Sequence, residues 1–158
     1  MKQGFVTAVM DQYSIEEVID FAASNGFECI EAACWPKEKA ERRYAGVTHI
    51  DVDKLDHESA EYILTYCRKR RIEISALAYY PNVLDPDLEK RAYCIEHLKK
   101  VIEAANRLKV YMVTTFIGRV PDLNVMKNLE IAEEVWGPLL QFAEELGVNI
   151  AIENCPML

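Results

Sequence analysis

The run Val148-Asn149-Ile150-Ala151-Ile152-Glu153-Asn154-Cys155-Pro156 is a short, mostly apolar strand that ends in a carboxylate, an amide and a proline. A nearly continuous apolar run, without a polar residue at every second position, marks a strand buried on both faces, as in parallel sheets. Where such strands alternate with helices, reactive groups sit just past the carboxyl ends of the strands, the place that Glu153 and Asn154 occupy.

Working back from this strand, the same unit recurs. Gly4 to Met10 is a short apolar strand, and Ser14-Ile15-Glu16-Glu17 is a capping box that opens a helix with Ile15, Val18, Ile19 and Ala22 on one face and Gly26 at its end. Phe27 to Trp35 is a second strand. An irregular stretch through Asp53 leads to a helix over roughly Asp56 to Arg70, with Ile63, Leu64 and Cys67 inward, and Ile72 to Tyr80 is a third strand. Pro81 and Pro86 bracket a loop, after which Asp87 caps a helix whose Ile95, Leu98, Ile102 and Ala105 recur at helical spacing. Val110 to Gly118 is a fourth strand. The last helix starts between Leu123 and Asn128 and stops at Gly147, with Gly137-Pro138 expected to bend it.

Composition removes several classes of function. About half of the 158 residues are apolar, enough for one core of ordinary size, so residues 1–158 are read as a single domain. No apolar run approaches the roughly 18 residues of a membrane span, and Met1-Lys2-Gln3-Gly4 lacks a signal-peptide pattern, so the expectation is a soluble, cytoplasmic protein with no membrane partner. A net charge of −8 works against a nucleic-acid footprint. The one basic cluster, Arg68-Lys69-Arg70-Arg71, closes a helix, where the dipole favours cations. Cys29, Cys34, Cys67, Cys94 and Cys155 form no CxxC pair and are read as reduced packing residues.

Two closures of a parallel α/β sheet compete: an open doubly wound sheet and a (β/α)₈ barrel. Thr7-Ala8-Val9-Met10-Asp11 follows the first strand in place of a glycine-rich phosphate loop, and polar residues follow every strand, which suits a barrel mouth. Three phrases then carry a resemblance: Ile74-Ser75-Ala76-Leu77-Ala78-Tyr79-Tyr80-Pro81-Asn82, His97-Leu98-Lys99-Lys100-Val101-Ile102-Glu103-Ala104-Ala105 and Ile152-Glu153-Asn154-Cys155-Pro156-Met157. In this order the chain resembles the sugar phosphate isomerase/epimerase family of xylose isomerase-like TIM barrels. A full (β/α)₈ barrel takes about 250 residues, so the likeness extends to about the first four βα units plus the fifth strand.

Candidate site residues follow from position. Glu153, a carboxylate at the end of a buried strand, must be paired, hydrogen-bonded or bound to a cation. The resemblance makes it the first of four metal ligands and a catalytic acid or base, with the other ligands on later strands. Asn154 alternates to the opposite side and binds loop backbone, and Cys155 packs. Glu31, of the same parity as Cys29, Ala33 and Trp35, points into the barrel interior, where it orients a substrate hydroxyl or holds an ion pair. Trp35 offers an aromatic face to a sugar ring or packs at the rim. Tyr79, Tyr80 and Asn82, which end the third strand, and Phe116, Gly118 and Arg119, which end the fourth, are placed to converge on a polyol or its phosphate. His49 is a lesser candidate for the mouth, and His97 is structural or on the surface.

The resemblance therefore implies a metal-dependent sugar, sugar phosphate or polyol isomerase or epimerase that transfers a proton through an enediolate. The divalent ion it implies is Mn²⁺, with Mg²⁺, Co²⁺ or Zn²⁺ as alternatives. Two other readings stay open. One is a metal phosphodiesterase like the abasic-site endonucleases, which needs histidine ligands and a basic groove. The other is a non-catalytic half-barrel, completed as a homo-oligomer or by a chain carrying the missing half.

Overall fold

The computed structural model describes residues 1–37 and 45–153. Five strands, β1 (Gly4–Val6), β2 (Cys29–Ala33), β3 (Glu73–Ala78), β4 (Met112–Thr115) and β5 (Asn149–Ile152), form one sheet in sequence order with every neighbouring pair parallel. Helices α1 (Ile15–Ser24), α2 (His57–Arg70), α3 (Leu88–Arg107) and α4 (Val125–Glu145) make the crossovers. This is a partial TIM barrel, the architecture the strand–helix alternation predicts.

The helix starts follow the sequence signals. Ser14 and Glu17 exchange both bonds of a capping box, Asp56 does the same with Ser59, and Asp87 and Asn124 cap α3 and α4. All four helices also end alike. A left-handed residue (Gly26, Arg71, Lys109 or Gly147) is followed by an apolar residue whose N–H reaches back five positions: Phe27 to Ala22, Ile72 to Cys67, Val110 to Ala105 and Val148 to Ala143, at 2.9–3.1 Å. This Schellman closure delivers the chain from each helix straight into the next strand. Pro138 does not interrupt α4. Both it and Glu134, whose carbonyl loses its helical donor there, lie on the exposed face, open to solvent.

The core lies between sheet and helices, with Ile30, Leu77 and Val113 of the strands packed against Ile19, Leu98, Ile102 and Leu139 of the helices. The first strand is shorter than the 4–10 expected, because Thr7 turns into a 3₁₀ segment over Thr7–Met10. There the Thr7 hydroxyl accepts the Ala33 N–H at 2.9 Å, so a side chain replaces the backbone ladder. The cationic end of α2 is satisfied locally: Arg70 binds Asp20 at 2.6 Å and lies over the Tyr66 ring, and Arg68 donates to Thr65. No helix among the described residues is long and apolar enough to cross a membrane.

Candidate functional site

The site depends on one extra residue in β3. Ile30 pairs with Ile74 but Glu31 pairs with Ala76, so Ser75 is bulged, and its hydroxyl donates to the Ile30 carbonyl at 3.1 Å. Had the register that begins at Cys29–Glu73 continued, Tyr79 would share a face with Glu31. The bulge gives that face to Ala76, Ala78 and Tyr80 instead.

Tyr79, expected at the mouth, is accordingly 2% exposed in the core, edge-on to Trp35 at 5.0 Å and to His97 at 4.7 Å. Tyr80 takes the inner position. It lies two residues beyond Ala78, whose row across the sheet is Ala33, Ala78, Thr114 and Ala151. These small side chains leave room for the ring to reach Glu31. Its hydroxyl lies 2.6 Å from Glu31 Oε1 and 2.9 Å from Glu153 Oε1, which joins carboxylates of β2 and of the β5 end. Burial first, and then the Glu31 carboxylate, push the Tyr80 hydroxyl well above the ordinary phenol range, so it is a standing donor at neutral pH. A phenol carries one proton, so it holds both carboxylates through a single three-centred bond, its hydrogen shared between Glu31 and Glu153.

Phe116 forms the next wall, its ring 4.7 Å from that of Tyr80. Glu153 continues the β5 ladder through its N–H to the Thr115 carbonyl at 2.9 Å, and its Oε2 accepts no hydrogen bond from a described residue. Glu31, Tyr80, Phe116 and Glu153 are thus brought together at the carboxyl ends of the strands.

Asn82 and Arg119 have other work. The Asn82 amide donates to the Arg119 carbonyl at 2.8 Å and accepts the N–H groups of Arg119, at 2.7 Å, and Leu84, at 3.2 Å, pinning the loop after β3 to the loop after β4. Gly118 permits this contact. Its φ is +88°, and a Cβ there would stand 2.9 Å from Asn82 Oδ1. The Arg119 guanidinium donates to the Pro121 carbonyl at 3.3 Å. Asn128, which the sequence reading passed over, is buried, and its amide binds both the N–H and the carbonyl of Val120, fixing the same loop to α4. An asparagine in a first helical turn resembles an ordinary cap, and only its burial distinguishes it.

Trp35 contacts Tyr79, not Tyr80, through its ring. His49 is buried, with Nε2 donating to the Met10 carbonyl at 3.3 Å, and burial lowers its pKa. His97 is structural: it is buried and bonds the Cys34 carbonyl at 2.8 Å. Asn154 and Cys155 lie outside the described residues.

A family model of the xylose isomerase-like TIM barrel matches residues 19–158. The chain belongs to this family. Among solved structures, D-psicose 3-epimerase from Clostridium cellulolyticum H10, with D-tagatose, is similar at TM-score 0.70 and 15% identity, covering 96% of this chain and 52% of that one. A D-tagatose 3-epimerase-like protein gives TM-score 0.71 and 21% identity over 99% and 54% of the two chains. The IolI protein with a bound zinc atom gives 0.66 and 19% over 96% and 51%. The chain spans about half the length of these proteins, and at such identities the likeness is one of fold. No curated protein matches in sequence.

A divalent metal is the group this family implies. The donors fit a hard cation in kind, since Glu153 Oε2 is unpaired among the described residues, with a second carboxylate beside it. Among the described residues, however, no group of three or more His, Cys, Asp or Glu converges on one point.

Proposed function

We propose that this chain supplies the β1–β5 part of a metal-dependent sugar or polyol isomerase or epimerase. The observation that carries this is the position of Glu153 on the inner face at the carboxyl end of β5, with one oxygen tied to Tyr80 and the other unpaired among the described residues. Family membership and the sugar epimerases among the structural neighbours support the reaction class.

Glu153 would hold the cation through Oε2, with Mn²⁺ the leading candidate and Mg²⁺, Co²⁺ or Zn²⁺ the alternatives. When bound, such an ion polarises the carbonyl and hydroxyl oxygens of a ketose or polyol. The chain's own residues do the rest. Glu153, as acid or base, exchanges a proton with the carbon beside the carbonyl, by way of an enediolate. Glu31 and the Tyr80 hydroxyl hold that carboxylate in place, and Phe116 offers an apolar wall to the carbon face of the sugar. Trp35, Asn82 and Arg119 shape the rim and loops around it.

The other ligands of an octahedral ion belong on later strands of a full barrel, so residues 1–158 alone are expected to be inactive and to pair with a second half-barrel or a second copy. The test is solvent exchange. A panel of ketohexoses is incubated with Mn²⁺ in D₂O, and deuterium beside the carbonyl is read by NMR, using the chain alone and the chain joined to the C-terminal half of an epimerase barrel. Exchange in the joined protein, abolished by Glu153→Gln, is expected. Exchange that survives Glu153→Gln would overturn the proposal.

A further inference from the structure

We infer that Tyr80 is a positioning residue: anchored by Glu31, its hydroxyl holds Glu153 by Oε1 and so presents Oε2 to the divalent cation. The inference rests on the reading of Glu153 as a metal ligand and adds two residues to it. A glutamate at a strand end has three side-chain torsions, and Glu153 is exposed, so by itself it would sample many rotamers. The structure supplies two constraints that remove this freedom. The first is the bond from the Tyr80 hydroxyl, at 2.9 Å to Oε1. The second acts on the tyrosine itself: Glu31 shares that hydroxyl hydrogen at 2.6 Å in a three-centred bond, and the Phe116 ring lies 4.7 Å away, so the phenol is held at its tip and along its face.

The chain of support runs from β2 through β3 to β5, crossing the sheet over the alanines at positions 33 and 78. The Ser75 bulge makes it possible by placing Tyr80 on the face of Glu31. Groups that hold a ligand in this way sharpen affinity because less rotamer entropy is lost when the ion arrives.

Glu31 also carries charge, and a nearby carboxylate strengthens cation binding whatever its geometry. Two substitutions separate these roles. Glu31→Gln and Glu31→Ala both remove the charge, but only glutamine retains a carbonyl oxygen able to accept the Tyr80 hydroxyl. A purely electrostatic role predicts equal losses from the two variants. A positioning role predicts that glutamine retains affinity that alanine loses.

The experiment is a Mn²⁺ titration of the chain joined to the C-terminal half of an epimerase barrel, followed by electron paramagnetic resonance of the free ion, with urea unfolding of each variant alongside. Tyr80→Phe is expected to weaken Mn²⁺ binding by about tenfold. Glu31→Ala is expected to weaken it several-fold more than Glu31→Gln, and Glu153→Gln to abolish it. If Tyr80→Phe fails to fold, the Glu31 pair alone carries the test. Loss of binding in Glu153→Gln with Tyr80→Phe unchanged, or with the two Glu31 variants equal, overturns the positioning role and leaves the ligand reading intact. Wild-type binding retained in Glu153→Gln, or no binding by the wild-type joined protein, overturns both.

Discussion

Tyr79 and Tyr80, neighbours in the chain, lie on opposite faces of the sheet: the first is 2% exposed against Trp35 and His97, and the second reaches Glu31 and Glu153 through its hydroxyl. The pair should separate stability from site function. Tyr79→Ala removes a core aromatic and is expected to cost about 3–5 kcal/mol. Tyr80→Phe removes only a hydroxyl at a half-buried position and should stay within about 1.5 kcal/mol. Urea unfolding monitored by circular dichroism measures both, and equal losses would mean that the Tyr80 hydroxyl supports the fold as much as the Tyr79 ring does.

The same pair shows where sequence reasoning stops. Strand order, parallel pairing, the caps at Ser14 and Asp87, and the helix ends at Gly26 and Gly147 are patterns legible in the sequence, one segment at a time. The Ser75 bulge is not. It is a property of how β2 and β3 pair, and a single added residue exchanges the two faces beyond it. Glu31 and Glu153 were legible as candidates because a carboxylate in or at the end of an apolar strand needs a partner. Asn82 looked like a polar group at the mouth, but its hydrogen bonds go to the Arg119 and Leu84 backbone, a destination set by a loop 37 residues away.

Asn82 and Gly118 make a further prediction. Asn82→Ala leaves the N–H and carbonyl of Arg119 without their partner and should cost about 1–3 kcal/mol. Gly118→Ala sets a Cβ against Asn82 Oδ1 and the Leu84 nitrogen at a φ of +88°, so it too should destabilise, by at least about 1 kcal/mol. The contact is shared, so the double variant should lose less than the sum of the single losses, as measured by a double-mutant cycle in urea. Full additivity would contradict the contact.

Two helix ends carry conformational strain that glycine would relieve. Arg71 at φ 59° and Lys109 at φ 55° occupy the left-handed position that Gly26 and Gly147 hold after α1 and α4. Neither side chain makes an ion pair with a described residue. Arg71→Gly and Lys109→Gly should each stabilise the chain by about 0.5–1 kcal/mol, seen as a higher melting temperature. A lower one would show that these side chains do more than cap.

His49 should give the chain a pH dependence above the carboxylate range. Burial lowers its folded-state pKa, so the unfolded chain takes up a proton that the folded chain resists. Stability from this residue is therefore complete above the unfolded value near 6.5 and is lost as pH falls below it. Asp53 and Asp56, whose pKa values are lowered by Lys100 and by Ser59, act in the same direction, but only as pH falls toward about 4 and below. His49→Gln should flatten the urea midpoint between about pH 7 and pH 5 while leaving the fall at lower pH. An unchanged slope in that window would remove His49 as its cause.

The account turns on the carboxylate at the end of β5, and anomalous diffraction from a Mn²⁺-soaked crystal of this chain tests it most directly. The predicted result is an anomalous peak about 2.0–2.6 Å from Glu153 Oε2, with Oε1 still bonded to the Tyr80 hydroxyl. An ordered Mn²⁺ elsewhere on the chain, with both oxygens of Glu153 free of it, would contradict the account.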